Sequence, residues 1–366
     1  MAGISCGIVG LPNVGKSTLF NALAKGQAKV ENYPFCTIDP NVGVVNVHDP
    51  RLDALNEIEK RPAKISALIE FIDIAGLVEG ASRGEGRGNQ FLENIHHADL
   101  MVHVVRCFRD PNVVHVRPCV DPLDDIRIIN LELILADLQT AERALHRESK
   151  KARGGDEAAA KAAHVLEKLI ALFGQEKPAR TAELSHEERD AVRDCRFLTF
   201  KPVLYVANVG EDALPSMENP VVARVREFAR QEGNAVLPVC AGIEAEIAEL
   251  PPDEAAEFAH EMGLPDNALL RLITECYRHL GLITFFTVGD KEVHAWTIPK
   301  GITAPDAGAT IHTDFKAHFI RVEVTAFADL QRLGSRHAAR EQGLLRVEGK
   351  DYVVSDGDIL FFRIGR

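Results

Sequence analysis

The chain has 366 residues, 46% of them hydrophobic, a formal net charge of -12 and seven cysteines. Its length exceeds what one domain needs and suits two or three units with sizeable cores. The acidic balance gives no global pull on nucleic acid, the scattered cysteines form neither a C-x-x-C pair nor a zinc spacing, and no apolar run is long enough to cross a bilayer.

Ile4 to Val9 reads as a short buried strand, and Met1-Ala2-Gly3 ahead of it lacks the basic start of a signal peptide. A soluble, cytoplasmic protein in a reducing compartment is expected, with no membrane or DNA partner. The strand runs into Gly10-Leu11-Pro12-Asn13-Val14-Gly15-Lys16-Ser17-Thr18, which fits G-x-x-x-x-G-K-[ST]. Ser17 to Lys25 then carries Leu19, Phe20 and Leu23 at helical spacing. A loop between strand and helix aims backbone N–H groups and the helix N-terminus at phosphate oxygens. Asn13, Val14, Gly15, Lys16, Ser17 and Thr18 are therefore expected to cradle a nucleoside triphosphate. Lys16 would bridge the β- and γ-phosphates, serving catalysis as well as binding, and Ser17 would hold Mg²⁺.

Next comes the loop Asn32-Tyr33-Pro34-Phe35-Cys36-Thr37-Ile38-Asp39-Pro40, where nucleotide switches place a threonine on the metal; Thr37 is the candidate. Strands are expected at 42–47 and 68–74, the second ending in Asp73-Ile74-Ala75-Gly76. This D-x-x-G places the Asp73 carboxylate where it can bind a water on Mg²⁺ and the Gly76 N–H where it can meet the γ-phosphate. The segment from Gly76 to Gly88 also holds Gly80, Gly84 and Gly86 and reads as a switch loop. Many switch GTPases orient the attacking water with a glutamine after that first glycine, but here the residue is Leu77, which has no donor or acceptor. After the strand 100–106 lies His115, a candidate for the water-positioning role by its chemistry; Arg83, Arg87 and Arg106 are alternative sources of positive charge.

Alternation of strands and helices stops between Leu123 and Phe197. Ile126, Ile129, Leu133, Ala136, Leu138, Ala141 and Leu145 follow three-and-four spacing, as do Ala159, Ala162, Ala163, Leu166, Leu169 and Ile170. The two helices, joined through Lys150-Lys151-Ala152-Arg153-Gly154-Gly155, read as an inserted antiparallel hairpin. Strands return at 203–207 and 235–239. The first ends in Asn208-Val209-Gly210-Glu211, where guanine-specific enzymes carry Asn-Lys-x-Asp, and Cys240-Ala241-Gly242 stands in place of Ser-Ala-Lys. With Val209 for Lys and Glu211 for Asp, the bidentate contact to guanine is not assured. Asn208 either supports the neighbouring loop or reaches a purine edge, and Glu211 is either a base contact or a solvated acid. Beyond Leu282 short strands at 283–288, 294–298, 319–324 and 359–362 mark a small α+β domain. The expected fold class is α/β, a P-loop NTPase G domain with a doubly wound sheet over residues 1–280, helical insertion at about 123–197, and a separate domain at 281–364.

The phosphate loop together with Asp-Ile-Ala-Gly-Leu-Val, Gly-Asn-Gln-Phe-Leu and Asn-Val-Gly-Glu resembles the YchF (Obg-like) ATPase family, P-loop NTPases of the TRAFAC class. His294-Ala295-Trp296-Thr297-Ile298-Pro299, Ile311-His312-Thr313-Asp314-Phe315 and Asp356-Gly357-Asp358-Ile359 are similar to its carboxy-terminal TGS domain, a β-grasp module. The resemblance implies a coiled-coil arm, a preference for ATP over GTP, association with the ribosome (large subunit or 70S) and a role in translation or stress response. Asn208, Val209 and Glu211 stand in the slot where guanine-specific enzymes contact the base, and the resemblance implies that His115 matches the family's catalytic position. Mg²⁺ is the expected cofactor, with K⁺ near Asn13 a further candidate, and the basic hairpin tip a candidate for rRNA or tRNA contact. Two readings compete with a slow ATPase switch: a true GTPase with Glu211 in place of Asp, and a nucleotide-gated binding module whose hydrolysis is incidental.

Overall fold

The structure, a computed structural model, describes residues 4–25, 41–74, 86–110, 121–264 and 267–365. In chain order the first half contains β1 (Ile4–Val9), α1 (Lys16–Lys25), β2 (Val42–Asn46), α2 (Pro50–Glu59), β3 (Ala63–Ile65), β4 (Leu68–Asp73), α3 (Gly86–His97) and β5 (Leu100–Arg106). The arm follows as α4 (Pro122–Ala152), α5 (Glu157–Phe173) and the short α6 (His186–Ala191). Then come β6 (Val203–Asn208), α7 (Pro220–Gln231), β7 (Ala235–Val239), α8 (Ala241–Ile247), α9 (Pro252–Glu261) and α10 (Ala268–Leu280). The chain ends with β8 (Leu282–Val288), β9 (Glu292–Pro299), α11 (Ala304–Ile311), β10 (Phe319–Ala326), β11 (Arg346–Glu348) and β12 (Asp358–Ile364), with further short helices between α11 and β11.

Six strands form the first sheet in the order β2-β4-β1-β5-β6-β7, and the run β1-β5-β6-β7 is parallel. Every residue of β5 and of β6 is buried, the mark of parallel strands covered on both faces. Such strands read as continuous apolar runs, which is why they were visible in the sequence. Their carboxyl ends carry the loops that matter here, as open α/β sheets place ligands at that edge.

The arm is two helices because α4 and α5 each start on an aspartate cap: Asp121 accepts the Leu123 N–H at 3.1 Å and Asp156 the Ala159 N–H at 3.0 Å. Gly155, at φ +92°, makes the turn between them. Their apolar stripes meet in a core of Ile134, Ala141, Ala144, Val165, Leu166, Leu169 and Phe173. At its base Asp137, 2% exposed, accepts the backbone N–H groups of Leu198 and Thr199, both at 2.8 Å, and the Thr199 hydroxyl at 2.6 Å. That carboxylate ties the returning chain to α4.

Packing divides the chain into two compact units, one of Ile4–Gly43 and Glu70–Leu272, the other of Val44–Ile69 with the chain from Ile273 onward. The second unit is built on a sheet in the order β11-β10-β12-β8-β9-β3. A β8–β9 hairpin, the parallel pairing of β12 with β8 and the antiparallel pairing of β10 with β12 give a β-grasp, with Ala304 and Ala307 of α11 buried against Phe285, Val322, Val324 and Leu360. Residues from the first half of the chain complete it. β3 pairs in parallel with β9, and Leu52, Leu55 and Ala67 share a core with Phe286, Val293 and Ala295. Arg51 of α2 pairs with Asp356 at 2.7 Å, and Asp356 also accepts the Thr284 N–H at 2.9 Å. Neither β3 nor β11, each of three residues, was expected from the sequence.

Replacing Asp137 by alanine leaves three buried donors without an acceptor, a cost of about 3 kcal/mol or more at 1–3 kcal/mol per unsatisfied group. A clear fall in melting temperature is expected by differential scanning fluorimetry, and a smaller one for Asp137→Asn, which keeps one acceptor oxygen.

Candidate nucleotide-binding site

The loop after β1 is shaped by backbone angles that few residues tolerate. Gly10 has φ +153°, Asn13 φ +60° and Gly15 φ +98°. A Cβ on Gly10 would come 2.5 Å from the Val104 carbonyl oxygen, and one on Gly15 would land on the side-chain amide of Asn208. Both glycines are thus required by close approach as well as by angle.

Lys16 opens α1 and is 7% exposed; its ammonium donates to the Leu11 carbonyl at 2.9 Å, which lays the side chain along the loop. Burial lowers its pKa, and the neighbouring Asp73 carboxylate acts in the opposite direction. The next residue, Ser17, is exposed and donates its hydroxyl to Asp73 Oδ2 at 3.1 Å. Asp73 is fixed at the end of β4 by its own N–H, which donates to the Asn41 carbonyl at 2.8 Å. Its second oxygen, Oδ1, is buried and has no hydrogen-bond partner among the described residues. A hydroxyl beside a carboxylate with a lone pair left over is an all-oxygen donor set that fits Mg²⁺.

Asn208, at the end of β6, is 4% exposed and uses its amide at both ends. Nδ2 donates to the Val14 carbonyl at 2.9 Å, and Oδ1 accepts the Ala241 N–H at 3.0 Å. The side chain therefore joins the phosphate loop to the start of α8. Its neighbour Val209 is 2% exposed, its N–H held by the Val239 carbonyl at 2.9 Å, whereas Glu211 is exposed at the start of a single 3₁₀ turn. Asn13, Ser17, Thr18 and Glu211 are thus exposed, and Val14, Lys16, Asn208 and Val209 are buried.

Several expected residues fall elsewhere. Thr37, Gly76, Leu77, Arg83 and His115 lie outside the described residues, as does the side chain of Arg87. Arg106 is not an exposed source of charge: it is 1% exposed, donates to the Phe108 and Asp110 carbonyls at 3.3 and 3.1 Å, and stacks 4.5 Å from the Phe108 ring centroid. The apolar strand β5 carries it inward, and carbonyl acceptors satisfy it there. On the same strand His103 is 2% exposed and packs on Tyr205; burial pushes its pKa down to about 3, with the charges of Arg180 and Lys16 adding to the effect. That burial keeps it neutral.

Comparison with known proteins covers the whole chain. Residues 5–154 match the family described as 50S ribosome-binding GTPase, and residues 282–365 match the carboxy-terminal domain of the YchF GTPases, described as a protein of unknown function. The chain is 53% identical over 360 residues to the ribosome-binding ATPase YchF of Shigella flexneri and 50% identical over 361 residues to that of Bacillus subtilis, in each case covering 98% of this chain and 99% of the relative. The solved structure of the Schizosaccharomyces pombe YchF GTPase superposes with a TM-score of 0.88 at 34% identity, covering 99% of this chain and 98% of the other.

Substituting Asn208 by alanine frees a buried carbonyl on one loop and a buried N–H on another. Equilibrium binding of a fluorescent ATP analogue is expected to weaken roughly tenfold or more, the size of losing one or two hydrogen bonds to buried groups.

Proposed function

The chain belongs to the YchF family, and from that premise we infer that it is a ribosome-binding ATPase whose G domain acts as a nucleotide-dependent switch. The observation that carries this reading is the constellation of Lys16, Ser17 and the half-satisfied Asp73 on a phosphate loop clasped by Asn208. Backbone N–H groups of the loop from Asn13 to Thr18 bind the phosphate tail, and the Lys16 ammonium turns from the Leu11 carbonyl to bridge the β- and γ-phosphates. Mg²⁺, when bound, neutralises charge on those oxygens, with Ser17, Thr37 and a water on Asp73 as its holders. The Gly76 N–H meets the γ-phosphate.

Leu77 offers the attacking water nothing; His115, which matches the family's catalytic position, is proposed for the positioning role, and intrinsic turnover is slow. A partner that supplies transition-state charge would raise it by roughly 10³ to 10⁵. Slow hydrolysis suits a timer: the triphosphate orders the segments holding Thr37 and Gly76, and hydrolysis releases them.

At the base, Val209 and Glu211 remove the lysine stem and the short carboxylate that guanine needs, which supports ATP over GTP. Glu211 is free to reach the purine from its exposed turn, while Asn208 holds the loops. The arm tip offers a contact to rRNA or tRNA phosphates: Lys150 and Arg153 are exposed, and Lys151 is paired with Glu148 at 3.1 Å.

Competition binding decides the base. ATP is expected to displace a fluorescent nucleotide at lower concentration than GTP in the presence of Mg²⁺, Lys16→Met to abolish displacement by either, and Val209→Lys with Glu211→Asp to move the preference toward GTP. Equal or tighter binding of GTP by the unaltered protein would overturn the assignment.

Cosedimentation with ribosomes tests the arm. Lys150→Glu with Arg153→Glu is expected to reduce the bound fraction several-fold, more at low salt than at high, and to leave nucleotide affinity unchanged; undiminished cosedimentation would remove the tip from the contact.

A further inference from the structure

Beside the turn that precedes α8, a buried acid and a half-buried arginine each keep one buried polar atom without a hydrogen-bond partner among the described residues. Glu244, 1% exposed, lies on α8 three residues after Ala241, whose N–H is taken by Asn208. Its carboxylate accepts the backbone N–H of Ala268 at the start of α10, but the oxygen Oε2 is buried with no hydrogen-bond partner among the described residues. Arg271, one turn along α10, donates from Nη2 to the Pro238 carbonyl on β7 at 3.3 Å, and its Nε is likewise buried and unmatched. The two side chains are in electrostatic reach of each other. Together they grip both sides of the turn from Val239 to Ala241, the strand side through Pro238 and the helix side through α8.

A buried carboxylate left short of a donor is costly, as is a buried guanidinium N–H left short of an acceptor. A rotation that brings Arg271 onto Oε2 would satisfy both and release the Pro238 carbonyl. We propose that Glu244 and Arg271 are positioning residues for the base-reading turn, and that their pairing sets how strongly the site discriminates adenine from guanine nucleotides. The proposal rests on the nucleotide reading of the site and deepens it, since neither residue need touch the nucleotide. The pair acts through Ala241 and hence through the Asn208 amide.

The Glu244 carboxyl is held up at about 7 by burial, against the opposing Ala268 N–H and Arg271 charge. Other groups around it are the Cys240 thiol, which its charge helps to raise, and, at the exposed ends of the neighbouring elements, Lys25 of α1 paired with Glu249 at 2.7 Å. The carboxylate form, present above that pH, is the one able to draw Arg271. A pH profile therefore reports on the pair, whereas a purely structural role would not move it.

The test uses the full chain with Mg²⁺ and measures affinity for ATP, for GTP and for inorganic tripolyphosphate, which has no base, between pH 6 and 8 in the unaltered protein, Glu244→Gln, Arg271→Met and Arg271→Lys, with melting temperatures alongside. Glu244→Gln and Arg271→Met are expected to change the ATP-to-GTP affinity ratio about fivefold or more, at the lower end of ordinary site-to-site coupling, and to leave tripolyphosphate affinity within about twofold. Arg271→Lys should retain most of the discrimination. The ATP affinity of the unaltered protein should change across pH 7 in a way that Glu244→Gln does not; titration of the ATP phosphate is common to both proteins and cancels. An unchanged ratio and an unchanged pH profile, with only a lower melting temperature, would overturn the proposal and leave the pair a packing feature. Failure of the unaltered protein to bind either nucleotide or tripolyphosphate would instead defeat the nucleotide reading itself, and the proposal with it.

Discussion

One primary amide holds together two loops far apart in the sequence. Asn208 spends its donor on the Val14 carbonyl and its acceptor on the Ala241 N–H. Without it the phosphate loop and the turn before α8 are separate segments, each with a buried polar group left over. With it, the phosphate loop and the start of α8 are joined through a single side chain. Gly15 belongs to the same constraint, because only a residue without a Cβ lets the amide approach. Its place at the carboxyl end of a fully buried strand keeps Asn208 rigid.

The Ser17–Asp73 side follows another logic. Ser17 and Asp73 are brought together by α1 and β4, and the bond between them leaves one buried lone pair on Asp73 free. A site whose donors were all satisfied within the protein would gain less from a cation. Lys16 shows a related economy: its contact with the Leu11 carbonyl costs little to exchange for phosphate oxygens, because the ammonium is already desolvated. Lys16 is already desolvated in the phosphate loop, whereas Glu244 and Arg271 each keep one buried polar atom unmatched among the described residues.

Much of this was legible along the chain. Core strands β1, β5 and β6 announced themselves as apolar runs because both faces are covered, and the arm did so through its three-and-four spacing. The phosphate loop was legible for a stricter reason, since its glycines, lysine and serine act through neighbouring backbone atoms and local spacing carries most of the geometry. Arg106 was misjudged because a charged residue at the end of a strand gives no sign of which acceptors await it; Phe108 and Asp110 supply them only after the chain bends back. The short β3 and β11 carry too few residues for alternation to emerge. Glu244 was missed altogether. On a seven-residue helix an acid reads as solvated, and only the tertiary fold, which brings the Ala268 N–H to its carboxylate, makes it a buried group.

The sequence alone determined the parts whose physics is local: a triphosphate loop, an acid-ended strand near it, an amphipathic helical arm, and an altered base motif. Tertiary structure decided which of those parts touch. It set Asn208 as a clasp, put Asp73 within reach of Ser17, and gave the β-grasp unit residues 44–69 from the first half of the chain. The reason is that hydrogen bonds and burial depend on distances between segments, and distance in space is fixed by how sheets and helices stack, which no stretch of neighbouring residues encodes by itself.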